Sequence, residues 1–209
     1  MKASVENLCQ TIINQNNKYK PMSAFAVAIS GIDGSGKGFV AQQLQNLLEE
    51  NGCRTALVSM DEWQMPKAVA LMKENAAENF YHNVFRWNAF FDSFFIPLQK
   101  NRSIQLAVKH FSTPNDEVVI KKYDFSNINI LLVEGIFLLK KDLAMFFDYK
   151  IWIDCSFETS LKRALQRNQE GLSNLELLND YNTYYHPAQQ YHFEKDEPRK
   201  NADTIFINE

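Results

Sequence analysis

The chain is poor in glycine, poor in cysteine and without a long apolar run. Of its 209 residues, 7 are glycine and 3 are cysteine. Cys9, Cys53 and Cys155 are scattered and form no CxxC pair. That excludes a disulfide framework and a cysteine zinc site, and the three read as small buried thiols. The longest apolar runs, residues 24–29 and 136–139, are far shorter than the ~20 residues that cross a bilayer. No membrane partner is expected. The first residues mix Lys, Glu, Asn and Gln with apolar side chains, unlike a secretory leader, so a cytoplasmic location is expected. Basic charge is not in excess: 22 Lys and Arg stand against 25 Asp and Glu, a net charge of −3. A broad grip on nucleic acid needs a basic surface, so no nucleic-acid partner is expected, whereas a local pocket for a small anion stays open. With 45% hydrophobic and 22% charged residues the chain has enough material for a core, which excludes disordered and collagen-like classes. This length suits one α/β domain over residues 1–209.

Glycine is scarce, so its clustering is informative. Gly31, Gly34, Gly36 and Gly38 fall within eight residues. The apolar run 24–29 precedes them and suits a strand buried on both faces. Phe39, Val40, Leu44, Leu47 and Leu48 follow at helical spacing, up to a stop at Asn51-Gly52. Residues 4–16 read as an amphipathic N-terminal helix, able to pack on the sheet or on a second copy of the chain. Residues 55–60, 130–134, 150–154 and 204–207 read as further strands. Residues 141–147, 157–168 and 173–194 read as helices, the last broken at Pro187. Residues 61–87 form a long excursion with helix at 67–78, and 88–99 is a helix stopping near Pro97. Residues 104–109 and 118–122 are two short strands around a turn at Pro114-Asn115. Such alternation predicts a doubly wound, mainly parallel sheet.

Ser30-Gly-Ile-Asp-Gly-Ser-Gly-Lys37 lies where a strand becomes a helix, and Gly31, Gly36 and Lys37 satisfy G-x-x-x-x-G-K. Glycines let successive N–H groups turn inward, and the helix start adds the positive end of its dipole. Lys37 can reach the β- and γ-phosphates. ATP is therefore expected across Gly31, Asp33, Gly34, Ser35, Gly36, Lys37, Gly38 and Phe39. One position departs from the motif. Ser or Thr should follow the lysine and ligate Mg²⁺ through its hydroxyl, but Gly38 has no side chain. A metal there must rely on water or on carboxylates.

With these pieces in hand, the chain resembles the uridine kinase and phosphoribulokinase type of P-loop kinase, from about residue 25 to 208. The resemblance is carried by the loop, Ser59-Met-Asp61, Tyr123-Asp-Phe125, Val133-Glu-Gly-Ile-Phe137, Ile153-Asp154, the Arg163 and Arg167 segment, and Ala202-Asp203. Phe80-Tyr-His-Asn-Val-Phe-Arg-Trp87 looks like a uridine-kinase-like subgroup. The resemblance implies a P-loop kinase fold with a small helical lid at about 160–175. It implies ATP and Mg²⁺ as cofactors and phosphoryl transfer to a hydroxyl of a small-molecule acceptor. It implies Asp61 as the group taking the acceptor's proton, and Glu134 as a metal anchor. Without a hydroxyl at Gly38, Asp61 joins Glu134 in that role. Arg163 and Arg167 would close onto the phosphates; the alternative is a solvated helix face. Trp63, His82, Arg86, Trp87 and Tyr123 are acceptor-site candidates, with core packing as the alternative for the aromatics. The tyrosines at 181, 184, 185 and 191 read as helix packing. Glu62 reads as pointing away from Asp61. The family's nucleoside kinases carry a histidine soon after Y-D-F, which is missing here. Uridine or cytidine leads as acceptor, with pantothenate, glycerate or a sugar as alternatives, and a nucleotide-binding protein without efficient turnover as the rival reading.

Overall fold

The computed structural model describes residues 4–19, 22–72, 74–112, 117–167 and 171–209. Helix α1 (Val5–Tyr19) leads into β1 (Phe25–Gly31), α2 (Lys37–Glu50) and β2 (Thr55–Ser59). A 3-10 turn, Met60–Trp63, opens a helical excursion: α3 (Lys67–Ala70), α4 (Ala76–Asn83), α5 (Trp87–Phe90) and α6 (Ile96–Asn101). Strands β3 (Ile104–Ser112) and β4 (Glu117–Phe125) form a separate antiparallel hairpin. Strand β5 (Ile130–Gly135), β6 (Tyr149–Asp154), α7 (Phe157–Arg167), α8 (Asn174–Asp180), α9 (His186–Asp196), α10 (Pro198–Asn201) and β7 (Thr204–Ile207) complete the order.

The main sheet runs β2-β5-β1-β6-β7, with every neighbouring pair parallel. All of β1 and β5 is buried, as their unbroken apolar runs require. The two faces of β1 differ in size. Phe25, Val27 and Ile29 pack against Leu8 and Ile12 of α1 and Val40, Leu44 and Leu48 of α2. Ala26 and Ala28 face the other way and leave room for rings, where Trp63, Phe90, Phe94, Phe95 and Trp152 pack. Each fully buried ring contributes on the order of 1.5–3 kcal/mol, so this aromatic layer anchors the excursion after β2 to the sheet. The chain passes outward from β1 to β2, and later crosses from β5 to β6 on the far side of β1. The crevice beyond the C-terminal end of β1 is therefore the switch point of the sheet. Among the described residues no helix is long and apolar enough to cross a membrane.

Several local expectations change. Pro97 and Pro187 do not end their helices. Each follows, by one residue, a π-helical turn: Phe91–Phe95 before Ile96-Pro97, and Tyr181–Tyr185 before His186-Pro187. Proline lacks an N–H, and its ring crowds the carbonyl one turn back. A widened turn moves that carbonyl aside, so the helix continues. Residues 141–147 hold only the 3-10 turn Ala144–Phe146 in place of a helix. The helix expected over 67–78 is two helices, and β3 and β4 are longer than the spacing suggested. The turn at Pro114-Asn115 lies outside the described residues, as do 168–170 of the expected lid; residues 160–167 belong to α7.

Candidate active site

The loop between β1 and α2 is shaped by glycine at two points. Gly34 has φ 70° and Gly36, the N-cap of α2, has φ 83°. A Cβ at Gly34 would stand 2.6 Å from the Ser160 carbonyl oxygen of α7, and one at Gly36 would stand 2.5 Å from Asn208 Nδ2. The loop is also held from outside. Ser160 Oγ donates to the Asp33 carbonyl at 2.6 Å, and Asn208 Nδ2 donates to the Ser35 carbonyl at 2.7 Å. The Tyr181 hydroxyl donates to the Asp33 carboxylate. Arg163 Nη1 donates to the carbonyls of Asn208 at 2.9 Å and of Ser35 at 3.4 Å.

A cavity of about 600 Å³ opens over this loop. It is lined by Asp33, Gly34, Gly36, Lys37, Gly38, Phe39, Asp61, Glu134, Arg163, Gln166 and Arg167. A second cavity, of about 390 Å³, lies between the 3-10 turn after β2, helices α3 and α4, and β3. Asp33, Asp61 and Arg167 line both.

Strand register brings the two acids together. Glu134 pairs with Ser59 on one side and with Ile29 on the other, so it sits level with the end of β2, where Asp61 follows. Ser59 Oγ accepts from the Asp61 backbone N–H at 3.2 Å, and Gln64 Nε2 donates to Asp61 Oδ1 at 3.0 Å. Burial pushes the Glu134 carboxyl upward; Lys37 opposes that and Asp61 reinforces it. Asp61 is exposed and lines both cavities. Its carboxyl is also raised, chiefly by burial, with Lys37 opposing and Asp33 reinforcing. Crowded carboxylates of this kind suit a divalent cation. Among the described residues no group of three or more His, Cys, Asp or Glu forms a cage. Mg²⁺ at a nucleotide site takes one or two carboxylates and completes its shell with phosphate oxygens and water, so the donor set fits that ion.

The profile of the phosphoribulokinase / uridine kinase family matches residues 26–205. The chain belongs to that family. It is a P-loop kinase acting on a small molecule, and membership implies ATP binding. Among solved structures it is similar to a possible uridine kinase from Bacillus stearothermophilus, at 24% identity and TM-score 0.76, covering 97% of this chain and 96% of that one. It is also similar to D-glycerate 3-kinase from Cryptococcus neoformans, at 11% identity and TM-score 0.65, covering 99% of this chain and 96% of that one. At these identities the likeness is one of fold. No curated protein matches the sequence.

Within this family fold, the expected nucleotide residues converge on one cavity, except two that lie behind its wall. Gly31 is buried against β6, where a Cβ would meet the Ile153 carbonyl at 2.5 Å, and Ser35 is fully buried. The five expected acceptor residues do not line either cavity. Trp63 is 1% exposed and packs edge-on against Phe90, 5.3 Å between centroids. Tyr123 is buried and donates to the Glu62 carboxylate. Arg86 clamps backbone: its Nη2 donates to the Lys109 carbonyl at 2.6 Å and its Nε to the Gln64 carbonyl at 3.2 Å. Trp87 packs against Phe85 and Phe91. His82 lies on the outer face of α4, 3.9 Å from Glu78. Trp63, Trp87 and Tyr123 are taken up by the aromatic core, Arg86 by backbone carbonyls, and His82 by the outer face of α4.

Other residues take those places. Glu62, read as pointing away, lines the second cavity because the chain after β2 curls into a 3-10 turn and is not extended. Gln64, Met65, Lys67, Phe80, His110 and Tyr185 also line it. Tyr181, read as packing, reaches Asp33. Glu62, Gln64, Met65 and Lys67 follow Asp61 directly in the chain, whereas Phe80, His110 and Tyr185 arrive from distant segments.

Proposed function

We propose that this kinase transfers the γ-phosphoryl group of ATP to a hydroxyl of a small neutral metabolite, with uridine or cytidine as leading acceptor. The observation that carries the reading is the meeting of two cavities at Asp33, Asp61 and Arg167. In-line transfer needs donor and acceptor on either side of one point, with a base at that point. The loop amides, the start of α2 and Lys37 hold the phosphates. Asp61 orients the acceptor hydroxyl and takes its proton; a carboxylate raised above its ordinary range is a better base for an alcohol. Glu134, with Asp61, would hold Mg²⁺, which supplies charge neutralisation at the phosphates when bound. Arg167, at the shared wall, and Arg163 stabilise charge on the transferring group. Arg163 also has a holding role through the Ser35 and Asn208 carbonyls. Apolar Met65, Leu71 and Phe80 stand in the same walls as polar Glu62, Gln64 and His110, which supports a ligand with a flat apolar part and a hydroxylated part.

The test is ADP release over a panel of nucleosides, sugars, D-glycerate and pantothenate, with and without Mg²⁺. Turnover should require Mg²⁺ and fall by about 10²–10⁴ in Asp61→Asn, with ATP still bound. Tight ATP binding with no turnover on any acceptor would favour the rival, a nucleotide-binding protein, for which the missing hydroxyl at Gly38 is the motive.

A further inference from the structure

The acceptor-side cavity is unusually rich in groups that accept hydrogen bonds. Asp61 and Glu62 present carboxylates. Gln64 gives one amide N–H to Asp61 Oδ1 and still presents its carbonyl oxygen as an acceptor beside its second N–H. His110, on β3, is half-buried in the same wall. Its Nδ1 lies 3.3 Å from the Glu62 carbonyl oxygen. A carbonyl can only accept, so Nδ1 carries a ring proton, and in that tautomer the lone pair lies on Nε2. The Glu62 backbone is itself fixed: Arg86 Nη2 donates to the same carbonyl at 3.3 Å, and the Glu62 side chain is tied to Lys121 Nζ at 2.6 Å. The imidazole is thereby held in one tautomer by a rigid partner.

We infer that His110 determines acceptor specificity, by accepting a hydrogen bond at Nε2 from a second hydroxyl of an uncharged acceptor and so selecting hydroxyl donors over acids. The inference rests on the kinase reading of this cavity. An acid brought here would face the Asp61 carboxylate and the lone pair at His110, which repel it, while the Glu62 carboxylate is already paired with Lys121. The cations do not reverse this. Arg167 stands at the end shared with the ATP cavity, and Lys67 already interacts with Asp180. A site built to receive hydroxyl hydrogens rejects a ligand without them, because its own acceptors are then left unpaired.

Two measurements on the full-length chain test this. The first is ¹⁵N NMR of the His110 ring with uridine and, separately, D-glycerate as probes. Nδ1 should resonate as the protonated nitrogen, and Nε2 should shift with uridine and not with D-glycerate. A proton on Nε2, or an equal response to D-glycerate, overturns the inference whatever the kinase assay gives. The second is steady-state kinetics with MgATP on the neutral acceptor best used by the native chain. His110→Leu should raise KM about three- to tenfold with kcat little changed, and His110→Gln, which keeps an acceptor, should recover most of that. Turnover with KM unchanged in His110→Leu overturns the role of His110 but leaves the kinase reading intact; D-glycerate as the best substrate of the native chain overturns the role of His110 and the neutral acceptor, but not phosphoryl transfer itself. No turnover on any acceptor overturns both.

Discussion

Two glycines of the phosphate loop, four residues apart, should respond to the same substitution with opposite signs. In Gly34→Ala the new Cβ meets the Ser160 carbonyl oxygen at 2.6 Å, and the residue must keep φ at 70°. Left-handed backbone costs a non-glycine residue about 1–2 kcal/mol. Relieving the contact requires backbone of α7 to move, an overpacking cost of about 1–3 kcal/mol. The first bond lost in that movement is Ser160 Oγ to the Asp33 carbonyl, about 1 kcal/mol more. The total, about 3–6 kcal/mol, is a large part of the 5–15 kcal/mol typical of a folded domain. In Gly38→Ala the nearest atom is Glu134 Oε1 at 3.8 Å, an ordinary contact, and φ is not positive. Replacing a helical glycine there should stabilise by up to about 1 kcal/mol. Urea unfolding of the native chain and both variants reads the stabilities, and calorimetric titration with ATP reads the loop. Gly34→Ala should also lose at least about tenfold in ATP affinity, since moving α7 unlatches the loop. Equal unfolding midpoints for the two variants, or a Gly34→Ala chain that binds ATP as tightly as the native one, would refute the packing argument.

Gly38→Ser introduces a hydroxyl beside Glu134 with no steric penalty. The Mg²⁺ concentration giving half-maximal ADP release should fall, by about tenfold if the hydroxyl becomes a ligand; an unchanged value would mean the metal does not approach this position. Lys140 is 5% exposed and donates to the Tyr81 carbonyl at 2.6 Å, with its pKa pushed down by burial from 10.5 to about 8. Below pH 8 both the folded and unfolded chains carry the proton, and keeping it in the core costs about 3 kcal/mol. Between about 8 and 10.5 the folded chain gives up the proton first, so native stability should rise with pH over that window. Lys140→Met should be more stable than the native chain at pH 7, by up to that amount less the lost hydrogen bond, and should lack the rise. Parallel urea titrations at pH 7 and 10 check both signs.

Sequence pattern was informative wherever the physics is local. A continuous apolar run marks a strand covered on both faces, and β1 and β5 are covered on both. Glycines between such a strand and an amphipathic helix mark a phosphate loop, and Gly34 and Gly36 have the positive φ this needs. That Asp61 and Glu134 lie at one edge was legible because Asp61 follows β2 and Glu134 lies near the end of β5, and parallel strands deliver their ends to one edge. The acceptor wall was not legible. Trp63 and Tyr123 have the chemistry of ligand-stacking residues, but burying a ring is worth more to the sheet than leaving it in a cleft. Whether a ring lies in the core or at a site depends on what covers it, and no local pattern records that.

What the sequence by itself determined, then, is the frame: the parallel sheet and the glycine loop, with Lys37, Asp61 and Glu134 brought to one cavity. What only the tertiary structure decided is the lining of the second cavity. Glu62 faces the cavity because the chain curls after β2, His110 arrives there on a hairpin 48 residues away, and Tyr185 comes from the turn before α9. It also decided why Gly34 must be glycine, since the carbonyl that forbids a side chain there belongs to Ser160, 126 positions further along the chain. The phosphate loop is built by neighbours in sequence, whose spacing is constrained by backbone geometry. The acceptor wall is built by neighbours in space, which only packing brings together.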